Sequence, residues 1–367
     1  MPTAQQERHK LEKWQWKRLL CNFLIYVVVV VVFLSVTVST LVKDRTGEDY
    51  YWNSSMTESQ DMADEVAARS AGATKVSVGT YIENLKEINI KSAYYRVVAQ
   101  VWFRWEGDPE LDMKSNFRVY KGLMNKMEVI KDYHEGGMNY QLVRCDVSVT
   151  KDYWTVRFPL ESHQLRMYIT SNLPVEQVVF MDDEGNSGLN RNLSISGYDV
   201  RRSDTAVISV KQDGTHGDPE LKDDLILSEH MTQLELNRSS WGLYLKCFIA
   251  LVGTITWVLI ALFLNTNHHI DPLGMLPAAL FGTVTNIMVG ANLLPDAMQT
   301  GLLEFVNIFG IGTILAVTMT IININRIRNK YEDKAFAALL GRVMFITIIV
   351  GTLAGNILLP CSAYMFG

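Results

Sequence analysis

Asp271, Gly274, Ala278, Phe281, Thr285, Met288 and Asn292 recur at intervals of three and four residues through an apolar stretch. At ~100° per residue they share one helical face, within about 50° of its centre. That face carries a carboxylate at one end, then small residues, an aromatic ring, a hydroxyl and an amide. In a symmetric ring of subunits each position becomes a ring of like side chains. A ring of Asp271 carboxylates draws cations to an inner mouth, and a ring of Phe281 closes a hydrophobic constriction by dewetting. The same small and hydroxyl residues also suit helix packing. A one-residue change of register puts Leu280 at the constriction in place of Phe281. Thr283 and Asn286 lie off this face and need partners on neighbouring helices, and Pro277 predicts a bend.

Other residues with chemical potential are sparse. Asp182, Asp183 and Glu184 form a candidate oxygen cluster for a modulating Ca²⁺ ion, as does the acidic stretch 213–224, although solvated surface acids look the same. His268 and His269 beside Asp271 could hold a divalent ion or simply form a polar turn. His163 could bias a conformational balance near pH 6–7, the plainer reading being a solvated loop histidine. Glu304 near a predicted helix end reads as a snorkelling carboxylate, or as a proton-sensing or coupling group. The seven histidines show no metalloprotease spacing, and no phosphate-cradling glycine loop, nucleophile elbow or redox pair occurs. Cys21, Cys145, Cys247 and Cys361 are too dispersed for a zinc site or a disulfide framework. The expectation is a protein without catalytic activity and without a bound cofactor.

The elements that must position these residues follow from hydropathy. The chain has 367 residues, 48% hydrophobic and 20% charged, with net charge −5, which points to a membrane protein and away from nucleic acid. The apolar run 20–42 follows Arg8, Lys10, Lys13, Lys17 and Arg18, which predicts an anchor with a cytoplasmic N-terminus. A cleavable signal peptide would have a core of only ~7–15 residues. Four further runs, 241–264, 273–294, 302–325 and 335–359, each reach the ~20 residues that cross hydrocarbon. Threading them places 44–240 outside, the basic segment around Arg326, Arg328, Lys330 and Lys334 inside, and the C-terminus outside, in a plasma membrane or bacterial inner membrane. Residues 44–240 carry 22 basic and 32 acidic side chains, a net of −10, against +5 elsewhere. Such a module raises local cation concentration, screened beyond ~8 Å.

Residues 75–240 alternate short β-branched and aromatic runs with turns such as Asp108-Pro109 and Glu135-Gly136-Gly137, predicting an antiparallel β-sandwich. Within it Tyr95, Val97, Ala99, Val101, Phe103 and Trp105 share one face. The expected organisation is a cytoplasmic tail and anchor (1–43), a linker with a short helix (44–74), an extracytoplasmic sandwich (75–240) and a four-helix pore domain (241–367).

This arrangement resembles the pentameric ligand-gated ion channel (Cys-loop receptor) superfamily, in a divergent prokaryotic-type form. Val76 to Leu85 and Trp102 to Asp108 look like its first two inner strands, ending in a Trp-x-Asp signature with one residue inserted. Phe158-Pro159-Leu160-Glu161-Ser162-His163-Gln164-Leu165 is similar to its Phe-Pro-Phe-Asp-x-Gln segment. Asn292-Leu293-Leu294-Pro295, followed by Thr300-Gly301-Leu302-Leu303-Glu304, is like its join between the second and third membrane helices. The family's cysteine pair, its Trp-x-Pro-Asp element and the proline of its first membrane helix are absent, and the N-terminal anchor is an addition. The resemblance implies a homopentamer in lipid that conducts inorganic ions, favouring cations, and is gated by a small ligand or by protons. It implies that Phe158, Pro159, Leu160, Glu161 and His163 press on Leu294 and Pro295 to couple the outer domain to the pore helix. The alternative is a non-conducting, membrane-anchored binding or assembly protein.

Overall fold

The computed structural model describes residues 11–364 apart from 184, 194, 196, 213, 216, 218–223 and 295–299. The chain divides into two compact units: a β unit, Thr46–Trp154 with Glu161–Trp241, and a helical unit, Met1–Arg45 with Thr155–Leu160 and Gly242–Gly367.

The β unit holds two sheets. The first runs in the order β4 (Gly122–Glu135), β5 (Met138–Thr150), β2 (Tyr94–Glu106), β1 (Thr74–Asn89) and β7 (Val178–Asp182), with β8 (Gly188–Leu189) also on β1. The second runs β3 (Phe117–Val119), β6 (Ser162–Pro174), β10 (Ile226–Arg238) and β9 (Tyr198–Lys211). Pairing is antiparallel except where β7 and β8 join β1. Period-two alternation decides which side chains face inward. Tyr95, Val97, Ala99, Val101, Phe103 and Trp105 of β2 are buried, in one cluster with Leu165, Met167 and Ile169 of β6 and Leu234 of β10. Residues of both sheets therefore line a single core. Cys145 lies in it as a free thiol, and burial pushes its pKa up to about 12. The short helix α2, Gln60–Arg69, starts at Ser59, whose hydroxyl accepts the Met62 amide.

The helical unit contains α3 (Gly242–His268), a 3-10 turn (Leu273–Met275), α4 (Leu276–Leu293), α5 (Leu302–Lys330) and α6 (Lys334–Tyr364), together with most of α1 (Lys13–Ser54). Among the described residues, α1, α3, α5 and α6 are long and apolar enough to cross a membrane, which marks a membrane protein. Val258, Leu262, Leu276, Ala279, Ile314, Val317, Ile321, Leu340 and Ile348 form its core. Along α1, Phe33 stacks on Phe309 at 5.8 Å and the Gln15 amide donates to Asp333 at 2.7 Å.

Two expectations change. The segment after residue 43, expected as linker, continues the helix to Ser54. No proline stops it, Gly47 is tolerated, and its last turns have tertiary partners in the β unit. Trp52 is buried there beneath Arg202, 4.2 Å from the ring centre, and Asp49 pairs with the same guanidinium at 2.9 Å. Pro277 does not bend a helix, because α4 begins at Leu276 and the proline occupies its first turn. A missing N–H costs nothing at that position.

Candidate functional site

Helix α4 has two distinct faces. Leu276, Ala279, Thr283, Asn286 and Gly290 are buried, following the three-and-four spacing of a packed stripe. Ala278, Phe281, Thr285, Met288 and Asn292 are exposed in the single subunit, with Phe281 at 74% and Met288 at 62%. At ~100° per residue the two stripes lie ~160° apart. The off-face polar residues are satisfied within the protein. The Asn286 amide donates to Asn307 of α5 at 2.7 Å, Asn307 donates onward to the Leu303 carbonyl, and the Thr283 hydroxyl donates to the Leu280 carbonyl. Leu280, the alternative constriction residue, is also exposed, but about 120° round the helix from the centre of that face.

Asp271 and Gly274 precede α4. Gly274 lies in the 3-10 turn, and Asp271, exposed, accepts the Leu273 amide at 3.2 Å and the Asn325 side chain at 3.0 Å. Asp271 is thus held at the mouth of α4 as a turn cap tied to α5. His268 ends α3, and His269 follows it with φ of 61°.

The segment Thr155–Leu160 packs within the helical unit. It folds as two consecutive turns, with Phe158 N donating to Thr155 O and Leu160 N to Arg157 O, and its Phe158–Pro159 bond is cis. Phe158 and Leu160 are buried. Their burial leaves the Val156 carbonyl facing the start of α5, where it accepts the Leu302 amide at 2.7 Å. Gly301 permits that approach, since a Cβ there would stand 2.2 Å from Val156 O. Glu304 accepts the Gly301 amide at 2.9 Å, which makes it a helix cap. Arg157 is buried and donates to Asp44 of α1 at 3.0 Å and to the Ala363 carbonyl of α6 at 3.4 Å. One loop therefore contacts α1, α5 and α6. The described contact falls on Gly301–Leu302; Leu294 is buried at the end of α4, and Pro295 lies outside the described residues.

In the β unit, His163 is not a solvated loop residue. It belongs to β6, its ring is buried, and it lies 3.1 Å from the Tyr198 hydroxyl and 3.4 Å from Glu161. Glu161 accepts Tyr198 at 2.9 Å and Arg238 at 2.7 Å. Burial opposes ionisation of Glu161, but the His163 hydrogen bond and charge, with Arg238, outweigh it and hold the carboxyl at about 2. Burial lowers His163 below its usual range, partly offset by Glu161.

The acidic cluster is occupied by protein donors. Asp182 accepts His230 at 2.9 Å and Thr205 at 2.7 Å, while Asp183 accepts the Trp102 indole at 2.9 Å and Asn186 at 2.8 Å. Glu184 lies outside the described residues. Among the described residues no three His, Cys, Asp or Glu side chains converge as a metal site. Sequence reasoning missed Val156 and Arg157, and placed Gly301 only as part of the join between the second and third membrane helices, whereas Asn307 read as an interhelical hydrogen bonder and is one. Only Arg157, a charge flanked by Val156 and Phe158, offered a signal.

Compared with known proteins, the chain matches no family model and no curated protein.

Proposed function

We propose that the chain is one subunit of an oligomeric, pentameric ion channel gated by a ligand or by protons and favouring cations, with α4 lining the pore. In this reading the two sheets form an extracytoplasmic β-sandwich sensor, the N-terminus is cytoplasmic, and α1 is an added membrane helix. The observation that carries it is the uncovered face of α4, where Ala278, Thr285 and Asn292 accompany Phe281 and Met288. The uncovered residues of α3 are mainly apolar, Leu245, Ile249, Val252, Trp257, Ile260 and Phe263, with Lys246 and Thr256 among them. Assembled in a ring, those side chains would meet ions, and the exposed Asp271 would stand at the inner mouth. The Val156 loop, seated on the first residues of α5, supplies a mechanical route toward the α4–α5 connection. A gating ligand acts only through its differential affinity for closed and open states.

The test is current across planar bilayers holding the purified full chain, in a KCl gradient, at pH 4 to 8 with and without Ca²⁺. Cation-selective current that loses selectivity in Asp271→Asn is the expected result. Silence from folded, oligomeric protein under every condition would favour the non-conducting, membrane-anchored binding protein. The Thr285 hydroxyl, donating to the Phe281 carbonyl at 2.9 Å, suits that rival, because a lipid-facing threonine satisfies itself in this way.

A further inference from the structure

On β6, Leu165, Met167 and Ile169 point into the core, so Gln164, Arg166 and Tyr168 face the other way. Over them lies a cavity of about 820 Å³, bounded also by Tyr51 from the last turns of α1. Five basic side chains line it, Arg118, Lys121, Lys151, Arg166 and Lys211, against two acidic ones, Asp152 and Glu229. Glu229 is held by the Thr170 hydroxyl at 2.6 Å, and burial raises its carboxyl above the usual range.

The two basic groups of greatest interest have no carboxylate partner among the described residues. Arg166, buried, donates to the Gln233 and Gln164 side-chain oxygens at 3.2 and 3.1 Å and to the Tyr51 carbonyl at 3.0 Å, and its guanidinium lies 3.8 Å from the centre of the Tyr51 ring. All of these partners are neutral. Lys151 is half-buried, and its ammonium donates to the Asp152 carbonyl at 3.4 Å and lies 5.4 Å from the Tyr153 ring. Burial, reinforced by the charge of Arg166, lowers this ammonium to about 8, with Glu48 and Asp152 offsetting only part. The two like charges repel, Glu48 and Asp152 offset only part of that at Lys151, and an anion bound in the cavity relieves the remainder. Aromatic and aliphatic side chains share the rest of the wall: Tyr120 and Tyr168 meet edge to face at 6.2 Å, Tyr51 and Trp154 at 5.0 Å, and Ile208, Val210 and Leu227 lie beside them.

We propose that this cavity binds a small organic anion, a carboxylate carried on an aromatic or apolar body, with Lys151 and Arg166 meeting the carboxylate and the rings meeting the body. Charge-assisted hydrogen bonds fix the anion, and the aromatic faces select against a bare inorganic ion. The site lies wholly within the β unit and does not depend on the chain conducting ions.

Benzoate is the probe, titrated into the full-length chain in detergent at pH 7. Binding is followed by heat and by the fluorescence of Trp154, assigned with Trp154→Phe. Benzyl alcohol and inorganic phosphate are the comparisons. Saturable benzoate binding, weakened about tenfold or more in Lys151→Gln and restored in Lys151→Arg, is expected. Both variants are checked for unchanged thermal unfolding. The proposal is overturned by absence of saturation at about 10 mM benzoate, by equal binding of benzyl alcohol, by phosphate binding without benzoate binding, or by an unaltered affinity in Lys151→Gln.

Discussion

The Leu302 amide donates to the Val156 carbonyl at 2.7 Å, so the first turn of α5 is capped by a loop lying more than a hundred residues away in sequence. The first amides of a helix have no partner within it. Here one of them is satisfied by the segment that carries Phe158 and Pro159. The bond ties the loop to the element that follows the α4–α5 connection, and it requires a residue without a side chain at Gly301.

Gly301→Ala should therefore be costly despite its small size. The added methyl would stand 2.2 Å from the Val156 oxygen, and the backbone must move to admit it. A loss of about 1–3 kcal/mol is expected, seen as a lowered Tm in detergent. If the protein conducts, the agonist or proton dependence of its current should shift as well.

Arg157→Leu should destabilise the helical unit by about 3 kcal/mol, because it leaves the Asp44 carboxylate without its buried partner. Arg157→Leu combined with Asp44→Asn should recover much of that loss. Equal destabilisation in the double and single variants, measured by thermal unfolding, would mean that the Arg157 contact with the Ala363 carbonyl dominates.

Asn286→Leu should cost about 0.6 kcal/mol, the typical worth of an interhelical hydrogen bond in a membrane protein. It removes the 2.7 Å bond to Asn307 while leaving the exposed face of α4 untouched. Stability should fall, and if the protein conducts as proposed its ion selectivity should be unchanged, whereas Phe281→Ala should leave stability nearly constant and raise any resting current.

Acidification should weaken the β unit in two stages. His163 has a lowered pKa in the folded state, so the unfolded chain binds its proton first, and stability falls as pH drops below the ordinary value of 6.5. Glu161 is ionised in the fold down to about 2 against an ordinary 4.5, so its contribution is present above 4.5 and is lost as pH falls from there toward 2. Glu161→Gln should reduce the second stage in unfolding curves recorded by circular dichroism between pH 3 and 8, the remainder coming from other paired carboxylates such as Asp146 and Asp182.

Benzoate binding should weaken as pH rises through about 8, where the Lys151 ammonium loses its proton. Lys151→Arg, charged throughout, should bind with little change from pH 7 to 9. Titration calorimetry at three pH values separates these outcomes.

Much of the architecture was written locally. Tyr95 to Trp105 alternate because a strand in a two-sheet core must, and the apolar runs are long because hydrocarbon is thick. The spacing of Ala278, Phe281, Thr285, Met288 and Asn292 likewise declared one helical face, although the turn before Leu276 keeps Asp271 off the helix. What the chain could not state locally were the partners. That His163 is buried against Tyr198, 35 residues on, depends on β6 and β9 both pairing with β10, and that Arg157 meets Asp44 and Ala363 depends on contacts over 113 and 206 residues. The α1 helix outlasts its apolar run because Trp52 and Asp49 find Arg202, 153 residues from Asp49. The cations around Lys151 look like scattered surface charges until β3, β5, β6 and β9 bring them to one cavity. Periodicity is a property of the backbone and is legible in one dimension, whereas burial and charge pairing are set by which distant segments pack together.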